Sequence, residues 1–584
     1  MPETLSTGRN GLAVTGQRPH AVTSAITEPT VSRSRASWRL LLHPLTIICA
    51  VQAALSLSLV WSNSAFADEA YYLYVGHLEI GSWLHGASLP QAVFERNLSG
   101  SPVIYPPLGA VADSIGGLGG ARILSLGFML GATVLLYCTA WRLFGRTAAI
   151  AASALWAVTE PAIRLAFATY DPMSVCLTAL SVWLAVEAGY RQRRHVLVLA
   201  SSASVALAAA AAYSGIVMVP LVLVLAFTIW LPRMPARQGV SYVTLAAVGW
   251  LVFFGMLITF SRSWPGLIDS VLNRAIHDNE KPTVIVGAAL TYSLFVMPLA
   301  VGGAVVAAVV EQYRRGLSVV ALACAAFVVP IAQLHYHSTT SIDKHLAYGL
   351  WLAAVSAGYG ISKLLIMPPP KVRPFVAACC LTALLYPAVD GWRKAWDVYH
   401  GWANATSFAQ TLRVVAGQRQ GPIVVPAADL RIDHIAEFYA TQSADWDRWE
   451  SVLPSLDPSD IYRNQLESFY AQQLRTQKYA IFALAFEARP NMKLTGDLRL
   501  LRQRRLTGNE LRRNSLLSVF ESGLPYLAVA LENDPYYRLV GTGFYGNGDF
   551  LTSFRSDGFY AIWERARLQQ TARRRAGQDP AATT

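Results

Sequence analysis

Asp68 and Glu69, within Ser62–Gly76 (SNSAFADEAYYLYVG), stand where the first long apolar run gives way to polar sequence. Carboxylates this close to hydrocarbon are costly to place, which marks them for function by default. The plainer alternative is a charged loop beside a membrane helix. A further acidic residue, Asp171, opens another apolar run in Tyr170-Asp171-Pro172. Basic residues occupy comparable places: Arg122, Arg262, and the adjacent Lys344-His345 that close Ser341–His345. Carboxylates so placed can take protons, and cations can hold anions. The commonest role of such cations is headgroup contact or snorkelling. His335 and His337 form an H-x-H pair, and two ligands alone are a weak metal signal.

The elements that must position these groups are membrane helices. Of 584 residues, 53% are hydrophobic and 14% charged, where a soluble chain carries about 25% charged residues. The apolar residues cluster in runs of about twenty, the length that crosses roughly 30 Å of hydrocarbon. The net charge of +12 does not mark a nucleic-acid binder, because the basic residues lie in short loops between runs or near the C-terminus. All six cysteines fall inside apolar runs without metal-ligand spacing, which argues against a disulfide framework. Sequons at Asn97 and Asn404 are short patterns that decide nothing.

In chain order, Met1–Ser37 reads as a disordered cytoplasmic tail, rich in Ser, Thr, Arg and Gly. Spans are predicted near 40–61, 121–144, 147–160, 170–189, 196–212, 215–231, 241–261, 284–310, 317–335, 345–366 and 374–391, about eleven in all. Arg142/Arg146, Arg191–Arg194, Arg233/Arg237, Arg314/Arg315 and Lys363–Arg373 occupy alternate loops, which the positive-inside rule places in the cytoplasm. The N-terminus is then inside and the C-terminus outside. The first outer loop, 62–120, is far longer than packed helices require; its Trp and Tyr suit helices lying in the interface plane. Arg262, Arg274, His277 and Lys281 share another outer loop.

After Asp390 the charge rises and the apolar runs shorten. Gly421–Val425, Tyr479–Ala483, Tyr537–Val540 and Phe559–Trp563 read as strands, with helices over Ile432–Tyr439 and Tyr462–Leu474. Residues 392–584 thus form a small α/β domain, periplasmic by parity. Gly543–Gly548 is a turn rather than a phosphate loop, lacking a following helix, and Arg565–Arg575 reads as a frayed tail. The fold class is a polytopic α-helical membrane protein: a transmembrane domain over 38–391 and a small C-terminal α/β domain.

The acidic pair after the first span, Pro106-Pro107-Leu108, Arg122 opening the second span, Phe144-Gly145-Arg146 and Tyr170-Asp171-Pro172 follow a recognisable order. Over Leu40–Tyr213 the chain resembles the C-type (GT-C) membrane glycosyltransferases. The nearest branch holds the protein O-mannosyltransferases and lipid A aminoarabinose transferases. The resemblance implies transfer of a hexosyl or pentosyl group from a polyprenyl-phosphate carrier to a glycan, lipid or protein acceptor at the outer face of a bacterial inner membrane. It implies Asp68 as general base, Glu69 as a neighbour that binds acceptor or metal, and Asp171 as a second acidic position. Lys344 and His345, with Arg122 and Arg262 behind them, are candidates for the carrier phosphate. Family members differ in metal dependence, so a divalent metal is left open and no cofactor is assigned.

Two rival classes use the same features. A transporter would also concentrate charge along a pathway, but would show internal repeats and broken helices at the midplane. Here charge gathers at one face and the span interiors are nearly free of acidic residues. A non-catalytic envelope scaffold would use the C-terminal domain as its working part.

Overall fold

The computed structural model describes residues 43–87, 89, 98–272, 280–311, 313–402, 404–425, 449–450, 471–487, 523–545 and 558–566. The predicted N-terminal tail, the helix over Ile432–Tyr439, most of that over Tyr462–Leu474, residues Gly546–Gly548, the Asn97 sequon, Arg274, His277 and almost all of the Arg-rich tail lie outside them.

Every apolar run predicted to span is helical. The helices are α1 Pro44–Val60, α2 Ala67–His85, α3 Tyr105–Phe144, α4 Arg146–Ala157, α5 Glu160–Arg164, α6 Tyr170–Ala188, α7 Arg194–Ala211, α8 Val219–Trp230 and α9 Ala236–Phe260. After a short α10, Trp264–Leu267, come α11 Pro282–Ser293, α12 Val296–Val310, α13 Tyr313–Tyr336, α14 Ile342–Ile366, α15 Arg373–Ala383 and α16 Leu385–Tyr399. By length and composition, eight helices among the described residues can cross a membrane, or up to nine if one bent pair counts as a span.

Three departures from straight spans have local causes. The run 284–310 splits into α11 and α12, bent by 79°. Pro298, in the first turn of α12, has no N–H to give, and its ring would clash with the Leu294 carbonyl of a continuous helix. α3 kinks at Gly116 and Gly117, where Gly117 has φ 61°, which separates its first turns from the predicted span. α4 has 12 residues, only about 18 Å. The chain covers the remaining distance through Val158–Thr169, whose backbone is held by side chains of α1. Gln52 Nε2 donates to the Ala162 carbonyl (3.1 Å) and Ser56 Oγ to that of Ile163 (3.0 Å). Both carbonyls belong to the single turn of α5, which is too short to satisfy its own backbone acceptors.

The largest core joins Trp156, Trp230 and Trp351 with alanine-rich faces of α4, α6 and α14. The long stretch between the first two predicted spans packs as a helix pair: α2 crosses the start of α3 so closely that a Cβ on Gly76 would lie 2.0 Å from the Pro106 carbonyl oxygen.

Beyond α16, helix α17 (Thr406–Gly417) leads into a five-stranded sheet of order β2-β1-β3-β5-β4. The strands are β1 Ile423–Val424, β2 Trp449–Glu450, β3 Ile481–Glu487, β4 Tyr537–Tyr545 and β5 Gly558–Arg565, and helix α18, Gly523–Asn533, precedes β4. β1 pairs in parallel with β2 and β3, while β5 pairs antiparallel with β3 and β4. Phe408 and Leu412 of α17 seal one face against Ile481, Ala483 and Ile562. The junction is tied back to the turn after α1: Asn63 Nδ2 donates to the Tyr399 and Trp402 carbonyls (2.9 and 3.0 Å), and the Ala405 N–H donates to Ser64 Oγ (3.2 Å).

Near the end of β5, Glu564 accepts from Arg419 Nε (2.7 Å) and Arg538 Nε (2.6 Å). The Arg419 hydrogen bond, and then Arg538, hold its carboxyl below the usual glutamate range. A carboxyl depressed in the folded state stabilises above its unfolded pKa of about 4.3, and loses that contribution as pH falls through the folded value. Glu564→Gln is therefore expected to flatten the decline in melting temperature of the full chain below about pH 4.3. An identical acid decline in parent and variant would remove Glu564 as a source.

Candidate active site

Asp68, Asp171 and Lys344 meet at one end of the helical bundle. Asp68 is the second residue of α2, whose N-cap is Phe66. Glu69, one residue on, caps the helix instead: its Oε2 accepts from the Phe66 N–H at 2.8 Å. Successive helical residues diverge by about 100°, so Asp68 is turned elsewhere. Its Oδ2 lies 3.1 Å from Lys344 Nζ. The same ammonium is 3.5 Å from Asp171 Oδ2, at the start of α6. Asp171 is completely buried, and its other oxygen, Oδ1, has no hydrogen-bond partner among the described residues.

Lys344 comes from the first turn of α14, a turn fixed from two directions. Ser341, its N-cap, adopts the left-handed conformation at φ 61°. Asp343 accepts from the Lys344 N–H at 2.9 Å and pairs with Arg164 of α5. The lysine stem therefore has little freedom to swing away from the carboxylates.

Asp68 and Lys344 border a cavity of about 270 Å³ whose lining also includes His345 and five tyrosines, Tyr72, Tyr170, Tyr213, Tyr336 and Tyr348, while Asp171 lies outside that lining. The Tyr72 hydroxyl donates to that of Tyr170 at 2.9 Å. Tyrosine offers an apolar face with a polar tip, the combination that suits a sugar ring or an acceptor. The tyrosines were not singled out from sequence. The available signals were Tyr170 beside Asp171, and the polar Tyr213-Ser214 interrupting an apolar run. A 3₁₀ turn over Tyr213–Met218 carries that interruption to the cavity wall.

The other candidates sit differently. Glu69 and Arg122 are fully buried against each other, with Arg122 Nε and Nη2 donating to the carboxylate at 2.8 and 2.7 Å. The remaining Arg122 N–H groups donate to the carbonyls of Val60 (2.7 Å), Asn63 (3.0 Å) and Ser64 (2.9 Å). All five guanidinium donors are thereby used. The Ala168 N–H also donates to Glu69 Oε1 at 2.8 Å. The pair staples α2, the turn after α1, α3 and the chain before α6, and neither member lines the cavity. Arg262 is exposed at φ 53°, also outside the lining, whereas His345 lies within it.

For a metal the fit is poor. Among the described residues no three His, Cys, Asp or Glu side chains converge to hold an ion. The Asp68 and Asp171 carboxylates, which face a common point, already have an ammonium there.

No protein-family model and no curated protein matches the chain. Solved structures do. An Archaeoglobus fulgidus oligosaccharyltransferase, tethered to an acceptor peptide containing an NVT sequon, aligns over 90% of this chain and 88% of its own at 12% identity and TM-score 0.53. ArnT from Cupriavidus metallidurans, bound to undecaprenyl phosphate, aligns over 80% of this chain and 95% of its own at 14% identity and TM-score 0.51. The arabinofuranosyltransferase AftD from Mycobacteria aligns over 89% of this chain but 40% of its own, at 15% identity and TM-score 0.50. The chain has the fold of the GT-C membrane glycosyltransferases. It is a mostly helical, multi-pass membrane architecture with a small C-terminal sheet.

Proposed function

We propose that the protein is an integral-membrane glycosyltransferase that moves a sugar from a polyprenyl-phosphate carrier to a cell-envelope acceptor. The observation that carries this reading is Asp68, a carboxylate at the wall of a tyrosine-lined cavity beside a buried lysine, on the fold shared with ArnT. In the proposed reaction Asp68 takes the proton of an acceptor hydroxyl as that oxygen attacks the anomeric carbon. The bond from that carbon to the phosphate oxygen breaks, and the carrier phosphate leaves with the electron pair. A positioned base contributes about 10²–10⁴-fold to such a step. The developing phosphate charge needs donors. His345 lines the cavity, and the Lys344 ammonium has three N–H groups, of which one donates to Asp68 while Asp171 stands 3.5 Å away as an ion-pair partner.

The proposed organisation is a cytoplasmic N-terminal tail over 1–37, a transmembrane domain over 38–391 with about eleven crossings, and a periplasmic domain over 392–584. Its support is the alternation of basic loops, and the site lies at the helix ends away from Arg142, Arg191 and Lys363. A reporter active only in the periplasm is expected to be active when fused after Trp563 and silent when inserted at Arg191–His195. The reverse pattern would overturn the outward-facing site.

The reaction itself is tested with purified protein in detergent, by following sugar release from polyprenyl-phosphate sugars, hexosyl and pentosyl, with glycan, lipid and peptide acceptors. Lipid extracts of a deletion strain should accumulate the unused donor. Absence of both release and accumulation would overturn the reading.

A further inference from the structure

Two carboxylates directed at one point need a positive charge between them, and burial sharpens the need, because an ionised carboxylate without a counter-charge is strongly disfavoured away from water. Asp171 is wholly buried and its Oδ1 has no partner among the described residues. The only ion-pair partner that either Asp68 or Asp171 has among those residues is Lys344. Proteins usually fill such a place with a divalent cation or with a basic side chain. A hard divalent ion sits about 2.0–2.6 Å from each oxygen, inside the 3.1 and 3.5 Å at which Lys344 Nζ stands. The two occupants therefore exclude each other. The ammonium is also held in place, since Ser341 and the Asp343–Arg164 pair fix the turn that carries it.

We propose that the Lys344 side chain is the resident counter-cation of the Asp68–Asp171 pair, holding the place of a divalent ion, and that its removal converts the pair into a divalent-cation site. Lys344 is then a positioning residue: it aims the two carboxylates without a metal. Magnesium and manganese need only one or two carboxylates, with water completing the shell, so the two oxygens left behind suffice. The inference concerns the site of the proposed transferase, but its test needs neither donor nor acceptor, so its failure and a failed transfer assay are separate results.

The test is titration of the full-length protein in detergent with MnCl₂, following free Mn²⁺ by its electron paramagnetic resonance signal. The parent is expected to bind no Mn²⁺ at this pair. Lys344→Ala and Lys344→Met are expected to gain one site with a Kd of about 10⁻⁴–10⁻³ M, the range of loosely built carboxylate sites. Adding Asp171→Asn should abolish it. Where the lysine variants lose thermal stability, Mn²⁺ should restore part of the lost melting temperature, and not in the Asp171→Asn double variants. Parent protein that binds Mn²⁺ in a manner lost on Asp171→Asn would overturn the inference. So would folded lysine variants that bind none, or destabilised ones that Mn²⁺ does not restore.

Discussion

Asp68→Asn is expected to abolish sugar transfer while leaving the protein folded. Asparagine keeps the shape, and its carbonyl oxygen can still accept from Lys344 Nζ, which lies 3.1 Å from Asp68 Oδ2 in the parent. What it loses is the capacity to take a proton, and removing a positioned base costs about 10²–10⁴-fold in turnover. Asp68 lies on the cavity wall and is not fully buried, so the substitution leaves no buried carboxylate newly alone on its own side. The measurement is release of sugar from the lipid carrier, with melting temperature and carrier binding recorded on the same preparation. Asp171→Asn should also impair turnover, through the partner it shares with Asp68. A stable Asp68→Asn protein with near-parent turnover would remove Asp68 as the base.

Arg122→Met is expected to have the largest effect on stability. The guanidinium and the Glu69 carboxylate are both wholly inaccessible. Deleting one member leaves the other buried and uncompensated, a loss of about 3–5 kcal/mol. Here the Val60, Asn63 and Ser64 carbonyls also lose their donor. The variant should express poorly and melt well below the parent, and turnover should fall because the turn that presents Asp68 is no longer held. Arg122→Met combined with Glu69→Leu should recover part of the melting temperature, since no charge is then left alone. Should Arg122→Met instead melt like the parent and show only weakened use of the donor, Arg122 would join the phosphate ligands.

The two substitutions mark the limit of what the chain disclosed as a string of letters. Asp68, Asp171 and Lys344 each stand at the start of a helix at the same end of the bundle. Counting crossings and charged loops was enough to suggest a common face, because hydropathy and loop charge are local properties. Glu69 and Arg122 carried the same surface signs as the cavity residues, charged and next to an apolar run. What separates them is a contact across 53 residues, and no local pattern encodes which of two adjacent carboxylates turns inward. The tyrosines were hidden for another reason: aromatic residues are ordinary at membrane boundaries, so their type does not mark a cavity. The bend between α11 and α12 was written in the sequence as Pro298, although the run around it is apolar enough to read as one span. In the C-terminal region, four strands could be anticipated because each has an apolar stretch bounded by turn residues. β2 has only two residues and no such signature.

The ties from Asn63 and Ser64 to Tyr399, Trp402 and Ala405 bear on how the protein matures. They join residues more than 330 positions apart, and at about 5–20 residues per second the ribosome needs on the order of tens of seconds to make the distance between them. During that interval the turn before Asp68 lacks its last partners, even though the helices around it are already inserted. The contacts that complete the turn before Asp68 therefore form late in biosynthesis, on arrival of the segment that leads into the sheet. A chain interrupted before that segment would carry Asp68, Asp171 and Lys344 in full, yet the Asn63 amide would lack the Tyr399 and Trp402 carbonyls.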